Sequence, residues 1–267
     1  MNVQDRRRLL GPPNAKVPKL GQSSDPNSSQ EPIAESEKSN DIRNFFIKTG
    51  LINNANGSSY FEIDDTIIEV GVFGPRPIRG SFIDRASFSV ECKFLPYINQ
   101  PMSQIFNNQD KSHLSNIETK ISTYVETALL SSILLEKYPK STIDIFINVI
   151  SFNSSKNSLL NLINWTINSS SVALVNSGIE LKDLVTSGQV IYNEKSEELR
   201  KDCSIINDGD IECVASFMNM KNNEIVAFWI EGDKNEINEN KLNNLINGCN
   251  DMSKIIRQNI NSYLLNN

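Results

Sequence analysis

The run ASFSVECKF at residues 86–94 alternates without a break. Ala86, Phe88, Val90, Cys92 and Phe94 fall on one side, and Ser87, Ser89, Glu91 and Lys93 on the other. Successive side chains of an extended chain point to opposite faces, so this run predicts a half-buried strand, expected to be antiparallel. Such a strand needs an apolar layer over its inner face, and the rest of the chain supplies candidates. Ser115 with Glu118 has the form of a capping box, and Ile117, Ile121, Val125, Ala128, Leu129 and Ile133 then recur at helical spacing until Tyr138-Pro139 stops the run.

Further elements follow in order. TIIEVGVF (66–73) and STIDIFINVISF (141–152) have strand composition, and a second helix is expected from about residue 158 to 177, closed by Gly178. DIECVASFM (210–218) and EIVAFWIEG (224–232) are strands joined by the hairpin-like link NMKNN. A long helix is then expected from about residue 240, with Leu242, Leu245, Ile246, Cys249, Met252, Ile256, Ile260 and Tyr263 on one side. This order predicts an α+β domain of two related halves.

With 267 residues, 39% of them apolar, the chain can bury one large core. Its net charge of −6 excludes a globally basic surface, so any nucleic-acid contact must come from local patches. Arg6, Arg7, Arg8, Lys16 and Lys19 against Asp5 give the first twenty residues +4 and leave −10 for the remainder. Residues 11–40 hold five of the ten prolines and almost no large apolar side chain, too little to offset ordering entropy. The expected organisation is a disordered, basic, Pro/Ser-rich tail over residues 1–41 and a folded domain over 42–267.

Cys92, Cys203, Cys213 and Cys249 form no CxxC pair, and His113 is the single histidine. That pattern argues against a zinc site, a disulfide framework or a Cys–His dyad; buried, reduced thiols with no metal and no cofactor are expected. No apolar run approaches ~18 residues, and none follows the N-terminal charges, so neither a membrane span nor a secretory leader is expected.

The stretch GVFGPRPIRGSFIDR (71–85) links two strands and sets Arg76, Arg79 and Arg85 among glycine and proline. These three are candidate phosphate-binding residues, to which the family resemblance below adds RNA binding as an implication. The competing role is hydrogen bonding to turn carbonyls or to a neighbour's acidic groups. Trp165 and Trp229 lie in apolar segments and are expected in the core or an interface, not stacked on bases.

GSSYFEIDDTIIEVGVFGPRPIRGSF, ASFSVECKFLPY, LLEKYPKSTIDIFINV and SSSVALVNSGIELKDLV together resemble, in order and spacing, the RNase PH family and its exosome-core branch. The resemblance runs from about Ile42 to the C-terminus, and MNVQDRRRLLGP resembles the start of one eukaryotic ring-subunit type. It implies an RNase PH-like fold (ribosomal protein S5 domain 2-like) of two pseudo-repeated βαβ-type halves. It also implies a place in a six-subunit ring around a channel for single-stranded RNA, with other RNase PH-like subunits and S1/KH cap subunits as partners.

In active members inorganic phosphate attacks the 3′-terminal phosphodiester and releases a nucleoside diphosphate. Bringing one anion against another needs fixed cations and backbone donors, plus an acid for the leaving oxygen. Here the register of the family's Gly-Thr-Arg element falls on Asn161, Leu162 and Ile163, and no arginine stands between Arg85 and Arg200. The first helix carries Glu118 near where an active member has an arginine. In VIYNEKSEELRKD, Glu197, Glu198 and Asp202 match the family's acidic segment, Asn193 replaces another acid, and Asp202 resembles the general acid. Without a phosphate clamp Asp202 is a vestigial candidate, and a structural or solvated carboxylate is its ordinary reading. The expected function is therefore a non-catalytic ring subunit acting in rRNA maturation and mRNA turnover, found in nucleus, nucleolus and cytoplasm. The alternative is an active phosphate-dependent 3′→5′ exoribonuclease using Asp202 with Arg76 or Arg79.

Overall fold

The computed structural model describes residues 42–80, 82–96, 98, 111–153, 157–193, 198–202, 210–219, 223–232 and 239–266. The expected tail, as well as Glu197 and Cys203, lies outside them. Two sheets carry the domain. The first has the order β1-β2-β3-β5-β4, from β1 (Phe46–Thr49), β2 (Gly57–Ile63), β3 (Thr66–Pro77), β4 (Ser87–Phe94) and β5 (Ser141–Ser151). The second has the order β7-β6-β8-β9, from β6 (Thr186–Asn193), β7 (Glu198–Lys201), β8 (Asp210–Met218) and β9 (Glu224–Glu231).

The alternation over 86–94 is realised in full: every even-numbered position of β4 is buried and every odd one exposed. Its pairing is not the antiparallel one expected, because β4 runs parallel to β5. Alternation reports one covered face; it carries no information on the direction of the neighbour. The link between β4 and β5 is α1 (Lys111–Leu130), the crossover that a parallel pair requires. This helix begins before Ser115, so Ser115 and Glu118 are not a capping box. Glu118 is instead buried and accepts a hydrogen bond from the Phe94 amide at 3.0 Å, fixing the end of β4.

The helix α2 (Leu159–Asn176) packs on β2 and β3 of the first sheet and on β6 and β8 of the second, so nearly its whole surface is buried. Trp165, Leu162 and Ile163 are within 1% of complete burial. Ser158 caps its start by accepting from the Asn161 amide at 2.9 Å, and Gly178 follows its end with φ +74°. The amphipathic α3 (Glu239–Asn266) covers the opposite face of the second sheet with Leu245, Cys249, Met252, Ile256 and Ile260, the side expected. Close approach on both sheets depends on glycine. A Cβ at Gly57 would collide with the backbone of Ala173 on α2 and of Ser177 just after it, and one at Gly188 with the Cys249 carbonyl on α3.

Candidate functional site

The two sheets and α2 bring distant polar residues together at the helix's N-terminal end. Arg43, just before β1, reaches Asp202, which follows β7. The Arg43 amide and Nε donate to Asp202 Oδ2 at 2.9 and 3.0 Å, and Nη2 donates to Oδ1 at 2.8 Å. Asn161 Nδ2 and Trp165 Nε1, both from α2, donate to the same Oδ1 at 3.0 and 3.4 Å. Five donor atoms thus converge on one carboxylate whose side chain is wholly buried (0% exposed), while that of Arg43 is 19% exposed.

The rest of the guanidinium is also engaged. Nη1 donates to Asn157 and to the more exposed Asp64, each at 3.2 Å, and Nη2 to Asn161 Oδ1 at 2.7 Å. Burial pulls the Arg43 pKa down, but the bonds and charge of Asp202, with a smaller contribution from Asp64, outweigh it and hold the group above its ordinary value. The guanidinium stays charged.

Next to this pair lies a second buried carboxylate, Glu212 on β8. Ser158 Oγ and Gln189 Nε2 donate to it, and Gln189 Oε1 accepts from Asn161 Nδ2 at 2.8 Å, so the two clusters share one network. Burial outweighs those hydrogen bonds and pushes the Glu212 carboxyl up to about 7. Asp210, two residues earlier on the same face of β8, accepts from Arg200 Nη2 at 3.2 Å.

Asn161, Leu162 and Ile163 behave as their types dictate: the two apolar side chains enter the core, and the amide turns to Asp202. Asp202 is therefore a buried, hydrogen-bonded carboxylate, not a solvated one. The three candidate arginines lie elsewhere. Arg76 sits near the far end of β3, pairs with Asp144 at 2.6 Å and stacks over Phe73 at 5.7 Å; Arg79 and Arg85 are exposed in the following turn. Asn157 donates to Thr66, the first residue of β3. Ten residues of strand, roughly 30 Å at ~3.3 Å per residue, separate Thr66 from Arg76. Asp202, linked to Thr66 through Arg43 and Asn157, and Arg76 thus lie toward opposite ends of β3.

Arg43 is the residue that sequence reasoning missed. Its local context, DIRNFFIKTG, shows only an arginine at the foot of a short strand; its partners lie 21 to 159 positions away. Trp165 packs against Phe45 at 5.0 Å and Trp229 against Tyr124 at 5.3 Å, so both are packing residues as expected. Cys92, Cys213 and Cys249 are buried thiols, and the fold brings the last two sulfurs to 3.9 Å. No group of three or more metal-binding side chains occurs among the described residues, and no described helix is long and apolar enough to cross a membrane.

A two-sheet domain with a crossover β4-α1-β5 and a central helix whose mouth gathers distant acidic and basic side chains defines an RNase PH-like protein. Residues 41–180 match the RNase PH family, described as the 3′ exoribonuclease family, domain 1, and the chain belongs to that family. It is 31% identical over 198 residues to the exosome complex component mtr3 of Schizosaccharomyces pombe, covering 73% of this chain and 70% of that protein. The fold matches the crystal structure of rice (Oryza sativa) Rrp46 with a TM-score of 0.65 at 22% identity, over 86% of this chain and 99% of that one. It also matches the Archaeoglobus fulgidus exosome with RNA bound to the active site, with a TM-score of 0.62 at 16% identity, over 82% and 89% of the two chains.

Proposed function

We propose that the protein is a non-catalytic, structural RNase PH-like subunit of an RNA exosome core, of the Mtr3 type. The observation that carries the reading is the α2 mouth. Where phosphorolysis needs unpaired cations and donors for an incoming phosphate, Arg43 is saturated by Asp202, Asp64 and two asparagines, and two further carboxylates lie nearby. An anion entering that space meets negative charge and finds its donors taken. Similarity to an exosome component supports the assembly half of the reading.

In this role the protein joins other RNase PH-like subunits in a six-membered ring, meets S1/KH cap subunits and helps to channel single-stranded RNA for 3′→5′ processing in nucleus, nucleolus and cytoplasm. Its sheets end in edge strands with exposed apolar side chains, Phe46 on β1 and Ile225 and Phe228 on β9, which a lone copy leaves uncovered. Arg76, Arg79 and Arg85 guide the RNA backbone or bond a neighbouring subunit. Co-expression tests the assembly: the chain aggregates alone and is recovered as a stable heterodimer with a second RNase PH-like subunit. A well-behaved monomer indifferent to every such partner contradicts it.

A further inference from the structure

We propose that Asp202 is an internal ligand closing an oxyanion seat built on Arg43, and that removing its carboxylate opens the seat to inorganic phosphate. The donors around Asp202 come from three separate parts of the chain. Arg43 brings its amide, Nε and Nη2, while Asn161 and Trp165 on α2 bring one N–H each. A guanidinium presenting Nε and Nη2 side by side, reinforced by a backbone N–H, is the geometry that binds carboxylate and phosphate oxygens in the same bidentate way. The carboxylate of Asp202 fills it from within, so the wild-type chain has no room for a solute anion.

The remaining cradle does not depend on Asp202 for its shape. Trp165 is held by the core and by Phe45, Asn161 also by Gln189 and by its backbone bond to Ser158, and the other arm of Arg43 by Asn157 and Asp64. Asp202 itself has φ +49°, a left-handed conformation that glycine adopts without strain. Asp202→Gly therefore removes the anion and its methylene while relaxing the backbone, and leaves a gap lined by five N–H groups and a buried cation.

Chemical rescue tests this on the full chain co-purified with its RNase PH-like partner. Thermal unfolding is followed with phosphate and, at matched ionic strength, with chloride. At phosphate about ten times its dissociation constant, the Asp202→Gly variant gains roughly 3 °C over chloride. Wild type, Asp202→Asn, whose amide still fills the seat, and the double variant Asp202→Gly/Arg43→Met show no such gain. If Asp202→Gly is too unstable to purify in chloride, recovery of folded protein in phosphate alone supports the proposal, and failure in both buffers overturns it. A phosphate gain equal in wild type, or one that survives Arg43→Met, also overturns it. The inference deepens the non-catalytic reading yet can fail separately: a silent Asp202→Gly variant counts against the seat alone, whereas a phosphate response in wild type counts against both.

Discussion

The two ends of β3 use arginine in opposite ways. At one end Arg43 is mostly buried and every arm of its guanidinium has a partner within the chain; at the other Arg79 and Arg85 project into solvent and Arg76 is half exposed over Phe73. Judged by residue type alone, the glycine- and proline-framed turn has the look of a phosphate site. Partners reverse that judgement. The buried arginine is closed by the protein's own carboxylate, while the exposed Arg79 and Arg85 are available but stand roughly 30 Å along the strand from the helix mouth.

The contrast is broken or sharpened first by stability. Removing one member of a buried ion pair strands the other, so Arg43→Ala or Asp202→Ala is expected to cost about 3–5 kcal/mol, read as a lower urea midpoint. A loss under about 1 kcal/mol would mean that the mouth is not closed by this pair.

The next effect is a pH dependence. Glu212 titrates higher in the folded protein than in the unfolded chain, so its contribution is fully present below about pH 4.5 and is lost as pH rises through about 7. The stability difference between wild type and Glu212→Gln should therefore move against wild type across that window, by on the order of 3 kcal/mol. Parallel stability–pH curves for the two proteins would show that the carboxyl is not strained by burial.

At the turn the expected stability changes are small. The Arg76–Asp144 pair is exposed to solvent and screened, so Arg76→Ala is expected to cost less than about 1 kcal/mol. Smallest of all are Arg79→Ala and Arg85→Ala, which leave the urea midpoint unchanged. If the turn guides RNA, each lowers the salt slope of single-stranded RNA binding by the assembled complex by about 0.7. An unchanged slope assigns these arginines to subunit contacts instead.

How much of this was legible follows from which signals are local. The strand at 141–151, the alternation of β4 and the apolar side of α3 could be read because burial periodicity is written in consecutive residues; β8, buried at every position, could be read from its β-branched, aromatic and other apolar residues instead. β6 escaped because TSGQVIYN opens on Thr, Ser, Gly and Gln, residues that read as a turn; α2 and α3 cover both faces of the strand, and its buried polar groups are satisfied by Asn168, Ser253 and Glu212. The short edge strands β1 and β7 carry too few residues to establish a period. At the site the loss of a cation from α2 was visible in Asn161-Leu162-Ile163. The substitute for a bound anion was not, since the Arg43–Asp202 pair spans 159 positions and nothing near either residue names the other.

The central claim is that Asp202 is a structural ligand and does no chemistry. The direct test is release of nucleoside diphosphates from labelled single-stranded RNA, with and without phosphate, by the co-expressed heterodimer carrying wild-type chain or Asp202→Asn. This account expects the same release from both, whatever the partner contributes. A phosphate-dependent release that falls by about 10²-fold or more in Asp202→Asn, with the heterodimer still folded, would make Asp202 a general acid and contradict it.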